Sequence, residues 1–233
     1  MVTLITGAGS GIGRACAVML SQRKHQLVLV GRSENKLADA ADEIRATGSG
    51  DVMIARADVS DPEQAKSVID QTIERFGRID NLLNIAGIAP SVPIDKTTKD
   101  LFTEVFATNI FGAGYLIAAC WPHFRAQKGG CIVNVGTLGS SDPFPGFFVY
   151  AASKSALDSL TRSASREGRA LGVRAFSVNL GCVETALLRS NFNEKMVPPH
   201  KTISAESVAA TITDCVEGKR ADDQGKIILM PSP

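Results

Sequence analysis

Val2-Thr3-Leu4-Ile5-Thr6-Gly7-Ala8-Gly9-Ser10-Gly11-Ile12-Gly13 opens the chain. A short apolar, β-branched run gives way to a glycine-rich turn, and Ala15, Val18, Met19 and Leu20 follow at helical spacing. The pattern is strand, turn, helix. Backbone N–H groups and the dipole at such a helix start make an anion site. Glycines allow unusual backbone angles there and let a pyrophosphate approach the main chain. Gly7, Ser10, Gly11, Ile12 and Gly13 are therefore the candidate phosphate contacts. The spacing is Gly-x-x-x-Gly-x-Gly rather than the G-x-G-x-x-G of the common dinucleotide fold. A tight turn without a ligand is the plainer alternative, and the strand and helix on either side weigh against it.

Outward from this turn, short β-branched runs alternate with helical periods, the pattern of a parallel sheet with crossover helices. Strands are expected at 2–6, 27–31, 51–56, 81–84, 131–135, 173–178 and 226–230. Helices are expected near 12–23, 34–47, 62–76, 98–127 (two, or one kinked), 150–171 and 204–217. Right-handed crossovers then give an α/β fold: a doubly wound Rossmann-type domain, 1–233, with a mostly parallel seven-stranded sheet and a cofactor across the carboxyl ends of its strands. The least regular stretch, 186–203, holds Pro198 and Pro199 and suits a substrate-covering flap.

Tyr150-Ala151-Ala152-Ser153-Lys154 opens the fifth helical period. Residues four apart share a helix face, so an ammonium at 154 is expected to favour the phenolate at 150 and lower its pKa from the free value of about 10. Such pairs also occur by chance; its weight comes from the glycine turn at the other end of the chain.

Taken together, the Thr6–Gly13 turn and the Tyr150/Lys154 pair resemble the short-chain dehydrogenase/reductase family. Further landmarks fall in the family's order. Asp58-Val59 resembles the acid after the third strand that meets the adenine ring. Asn84-Ile85-Ala86-Gly87 resembles the family's Asn-Asn-Ala-Gly, with Ile85 in place of the second Asn. Asn109 matches the family's helix asparagine, and the resemblance covers essentially the whole chain. It implies an oxidoreductase that interconverts a carbonyl and an alcohol. Tyr150 would be the general acid/base, and Lys154 would hold the nicotinamide ribose. Asn109 would bend its helix and hold a water toward Lys154.

The family's fourth residue is a serine thirteen positions before the tyrosine. Here it is Thr137, which keeps a hydroxyl but restricts its rotamers; Ser140 is the fallback if the loop is re-registered. A second departure is Leu180-Gly181-Cys182-Val183-Glu184-Thr185, where the family often has Pro-Gly. Gly181, Val183 and Thr185 are the expected nicotinamide-side contacts. These departures leave open an alternative of another class, a nicotinamide-cofactor-binding sensor or scaffold with weak or lost catalysis.

The tip of the second strand touches the adenosine ribose in dinucleotide folds. NAD enzymes of the family usually place Asp where this chain has Gly31, and Arg32 and Ser33 follow. A guanidinium there can grip a 2′-phosphate with charge-assisted bonds, so NADP(H) is expected ahead of NAD(H). An ordinary solvated arginine is the bland alternative.

The charge balance, +1 from 25 basic and 24 acidic residues, gives no basic field for nucleic acid. No run of about eighteen apolar residues marks a membrane span. Nothing in the spacing calls for a metal ion. Cys16, Cys120, Cys131, Cys182 and Cys215 show no C-x-x-C spacing and read as reduced, mostly buried thiols of a cytoplasmic protein. The first strand begins at once, which leaves no room for a signal peptide. Phe144, Phe147, Phe148, Leu187, Leu188 and Phe192 are expected to border a pocket for a small apolar carbonyl or alcohol. Surplus apolar faces on 98–127 and 150–171 imply, by the resemblance, a homodimer or homotetramer.

Overall fold

The computed structural model describes residues 1–47 and 51–233. Val2–Thr6 (β1) is buried along its whole length, as a central strand covered on both faces must be. Gly11–Gln22 (α1) leads to Gln26–Gly31 (β2), Glu34–Ala46 (α2), Val52–Arg56 (β3), Pro62–Phe76 (α3) and Asn81–Asn84 (β4). Asp61 caps α3 by accepting from the Glu63 and Gln64 amides, Pro62 fills the first turn, and Gly77 at φ 73° ends it. The second half runs through Lys99–Phe106 (α4), Gly112–Gln127 (α5), Gly130–Thr137 (β5), Phe148–Gly168 (α6), Val173–Leu180 (β6), Ala186–Arg189 (α7), Ala205–Val216 (α8) and Ile227–Met230 (β7).

These strands form one sheet in the order β3-β2-β1-β4-β5-β6-β7, and every pair is parallel. The order reverses between β1 and β4, where the crossovers leave in opposite directions and open a crevice at the carboxyl ends. Two apolar clusters cover the faces. One packs α1, α2 and α8 around Ile5, Leu29 and Phe176, and the other packs α3 and α5 around Leu4, Leu82 and Phe124.

The expected elements fall within a few residues of the observed ones. β5 and β6 run two residues further than their apolar pattern, to Thr137 and Leu180, because they stay paired to their ends. The segment 98–127 is one long helix interrupted by a π turn at Ala107–Phe111, between α4 and α5. By length and composition Lys99–Gln127 is apolar enough to cross a bilayer, although it holds no run of eighteen apolar residues. In this fold Leu116, Cys120 and Phe124 of that helix are buried in the core.

Candidate active site

The glycine turn is shaped by contacts that a side chain would break. Gly7 and Gly11 sit at φ 67° and 49°, the left-handed region that favours glycine. A Cβ on Gly13 would lie 2.3 Å from the Gly7 carbonyl oxygen. Ser10 caps α1 by position but makes no side-chain cap bond, so the first-turn N–H groups keep their donors toward the crevice. Across it, the Thr6 hydroxyl accepts from the Ile85 and Ala86 amides at 2.9 and 3.0 Å. That one group fixes the 84–87 segment against β1.

A cavity of about 500 Å³ opens beside this turn. Its wall carries Ile12, Gly87, Thr137, Tyr150, Lys154, Gly181, Val183 and Thr185, drawn together from both halves of the chain. Thr185 approaches the turn directly, since a Cβ on Gly11 would meet its Cγ2 at 3.1 Å. Its hydroxyl caps α7 by accepting from the Leu188 amide.

Other expected residues lie elsewhere. Asn84, Ala86, Val59 and Asn109 border a separate cavity of about 10 Å³, the size of one water. Asn84 Nδ2 donates to Asn134 Oδ1 at 2.8 Å, while its own Oδ1 is buried without a protein partner. Asn109 sits in the π turn, and its amide clasps the Ile88 backbone on both sides, accepting at 2.9 Å and donating at 2.9 Å. It also donates to Ser153 on α6. Asn109 and Lys154 both flank Gly87, where a Cβ would meet Asn109 Oδ1 at 3.1 Å and Lys154 Nζ at 3.4 Å.

Arg32, Ser33 and Asp58 lie off the large cavity, at the ends of β2 and β3. The Arg32 guanidinium is exposed and 4.0 Å from the Asp58 carboxylate. Ser33 caps α2 by position but makes no side-chain cap bond. Asp58 is held by its own turn, accepting from the Ser60 amide and hydroxyl.

Thr137 and Ser140 separate clearly. The Thr137 hydroxyl donates to the Leu180 carbonyl at 3.4 Å and accepts from the Gly139 amide at 3.3 Å, and it lies near enough to the Tyr150 phenol to favour its ionised form. Ser140 donates to Asp158 at 2.8 Å instead and does not line the cavity.

The electrostatics correct one expectation. Burial pushes the Tyr150 phenol up to about 12, and the group that pulls it back is the Thr137 hydroxyl, not Lys154. The Lys154 ammonium is itself drawn down to about 8 by burial and donates to the Val135 carbonyl at 2.8 Å. Desolvation favours the neutral form of each partner, an effect that helix spacing alone does not reveal. At neutral pH the phenol keeps its proton.

The substrate side is mostly apolar. Phe144, Phe147, Leu187, Leu188 and Phe192 line the cavity, and Phe147 and Phe192 stack at 5.8 Å. Phe148 does not join them; it turns outward and packs edge-on against Phe102 at 6.0 Å, because the start of α6 rotates it away from its neighbour. Sequence reading also missed Asn191 and Cys182, which line the cavity; Asn191 bridges to the Ala89 carbonyl at 2.9 Å. Arg189 ties 186–203 together: its guanidinium pairs with Glu184 and donates to the Val197 carbonyl at 2.8 Å.

The sheet order, the crevice and the hydroxyl–phenol–ammonium wall define an α/β enzyme of the dinucleotide-binding class. A family model described as short chain dehydrogenase matches residues 1–196, and the chain belongs to that family of oxidoreductases. An uncharacterised oxidoreductase of Listeria monocytogenes is 34% identical over 191 residues, spanning 81% of this chain and 77% of that protein. The 11-beta-hydroxysteroid dehydrogenase A of Sesamum indicum is 36% identical over 194 residues, 82% of this chain and 55% of its own. Among solved structures, levodione reductase superposes with a TM-score of 0.93 at 27% identity, covering 99% of this chain and 95% of that one. The family uses nicotinamide cofactors, and a 3-ketoacyl-(acyl-carrier-protein) reductase from Brucella melitensis with the same fold is complexed with NADH.

Proposed function

We propose that the protein is an NADP(H)-dependent carbonyl reductase acting on a small apolar, ring-containing ketone, with Tyr150 as its general acid. One observation carries this reading: Thr137, Tyr150 and Lys154 share the wall of one mostly apolar cavity with Ile12 of the glycine turn. The cavity reaches from Ile12 and Thr185 at the turn to Cys182 and Val183 beyond β6, so the residues present suit a dinucleotide laid along it. When bound, that cofactor supplies the hydride.

The chain supplies the rest. Thr137 orients the carbonyl with its hydroxyl, and Tyr150, protonated at neutral pH, delivers its proton to the oxygen as negative charge develops there. Lys154 offsets the charge left on the phenol, an interaction that strengthens in the transition state. Asn109 holds the 87–88 segment against α6 and so keeps Lys154 in place. The aromatic wall of Phe144, Phe147 and Phe192 favours a ring over a short aliphatic chain, and 186–203 covers the cavity as a flap on the one domain. For the 2′-phosphate, the exposed Arg32, the uncapped start of α2 and Gly31 in place of an acid all favour NADP(H). Exposed Phe102, Phe111 and Tyr115 on the long helix and Leu229 on β7 support a homodimer or homotetramer. Free thiols at all five cysteines agree with a cytoplasmic setting.

A panel of ring-containing and short aliphatic ketones with NADPH or NADH, followed by loss of the reduced cofactor's absorbance, tests the reading. The expected result is turnover of ring ketones with NADPH, and tighter binding of NADPH than of NADH. Cofactor binding with no turnover across the panel favours a sensor or scaffold instead. Equal affinity for the two cofactors overturns the role given to Arg32.

A further inference from the structure

Among the described residues, Lys154 and Asp158 are the only Lys, Arg, Asp or Glu side chains that are buried, at 4% and 3% exposure. They lie one turn apart on α6, on the face that also carries Tyr150. Two charges taken out of water in one place call for mutual compensation.

The surroundings of Asp158 read as those of a carboxylate. Ser177 Oγ donates to its Oδ1 at 2.6 Å. Ser140 Oγ and Asn179 Nδ2 donate to its Oδ2 at 2.8 and 3.0 Å. An ionised carboxyl accepts without donating, and three donors converge on this one. The Ser177 hydroxyl also lies 2.9 Å from Asn179 Oδ1, so its one hydrogen is shared between that oxygen and the carboxyl.

These donors sit on β6 and on the turn after β5, so the cluster joins α6 to the two strand ends that carry Thr137 and Leu180. The Lys154 ammonium makes its hydrogen bond to the Val135 carbonyl, and the carboxylate acts on it through space. We infer that Asp158 is a positioning residue for the reaction: its carboxylate, held by Ser140, Ser177 and Asn179, is the counter-charge that keeps Lys154 an ammonium next to the Tyr150 phenol.

The groups around Lys154 leave little else for this task. Tyr150 is neutral at working pH. β5 offers the Val135 carbonyl, the π turn offers the Asn109 amide, and the segment after β4 offers Gly87; none is charged. Cys182 borders the same cavity as a thiol. Burial lowers the Lys154 pKa, and Asp158 is the group that opposes it.

The inference rests on Lys154 serving Tyr150 as an ammonium, and its test does not depend on turnover. The full-length protein labelled with ¹³C at lysine Cε is titrated by NMR, the Lys154 signal being assigned by its loss in Lys154→Arg. Asp158→Asn is expected to move the Lys154 midpoint down by about one pH unit or more. Ser177→Ala, which removes a hydrogen bond and leaves the charge, should keep it near the wild-type value. An unmoved midpoint in folded Asp158→Asn overturns the proposal. So does an equal shift in Ser177→Ala, because packing rather than charge would then be responsible.

Should Asp158→Asn not fold, the wild type still decides. Its Asp158 side-chain carboxyl carbon must give a carboxylate signal from about pH 6 to about pH 9, above the ordinary carboxylate range. A protonated carboxyl there overturns the proposal. If the midpoint moves as stated while the wild type reduces no ketone, the counter-charge stands and the reductase reading falls.

Discussion

Two cations stand at the two ends of the proposed site, and their surroundings could hardly differ more. The Lys154 side chain is buried, its pKa shifted, its bond to Val135 fixed. The Arg32 side chain is 67% exposed and 4.0 Å from an acid that is itself partly exposed. Water and salt screen such a pair until it contributes little. Under the proposed function, Arg32 exchanges Asp58 for a ligand's phosphate. On the same reading, the buried Lys154 would act on rate through the groups packed around it as well as on the cofactor's ribose, and the exposed Arg32 on affinity alone, through whatever docks against it.

The largest expected effect lies at the buried end. Tyr150→Phe should cut turnover by on the order of a thousandfold, the reach of a positioned general acid, while leaving NADPH affinity near wild type. Steady-state kinetics beside a fluorescence titration of cofactor would check both halves. Loss of cofactor binding to the same degree would erase the division between rate and affinity.

Thr137→Val comes next. The change keeps the shape and removes the hydroxyl that meets Tyr150, and a buried polar partner left unsatisfied costs about 1–3 kcal/mol. A fall of roughly tenfold to a hundredfold in kcat/KM is expected, with Thr137→Ser close to wild type. Full activity in the valine variant would remove Thr137 from the buried centre.

The smallest effect belongs to Arg32. Arg32→Ala should weaken NADPH by about tenfold, given that exposure discounts a charge-assisted contact, and leave NADH nearly unchanged. The difference between wild type and variant should shrink as salt is raised. A salt-independent difference would mean that Arg32 acts by packing, and the contrast with Lys154 would blur.

Much of the architecture could be read from the chain. The glycine turn after an apolar strand, the alternation of periods and the ordered landmarks gave the parallel sheet and the residues at its carboxyl edge. Thr137, Tyr150, Lys154 and the 181–185 segment were legible as one site because sequence spacing reports which strand end or helix face a residue occupies. Periodicity is silent on what that residue meets across the gap. The direction of the Tyr150 shift depends on desolvation by elements far away in sequence. The end of β5 depends on one contact: a Cβ at Gly136 would lie 1.9 Å from Asn179 Oδ1, so Thr137 reaches its place only after a glycine. Phe148 turned outward for a similar reason, since the first turn of α6, not the aromatic cluster, sets its direction. Asp158 could have been noticed as a second residue four positions on from a key one, but its three donors come from other elements.

The π turn at Ala107–Phe111 solves a problem of phase. Val105 and Phe124 are both fully buried and nineteen positions apart, whereas five turns of α-helix take about eighteen residues. Wound as an uninterrupted α-helix, the segment would turn Phe124 by about 100° relative to Val105. One residue looped into a wider turn absorbs the excess, so that Val105, Asn109, Leu116, Cys120 and Phe124 all face inward along one line. The extra residue is a splice that keeps the buried positions of a single rod in phase across the join, and the turn that brings Asn109 to Ile88 is the same event.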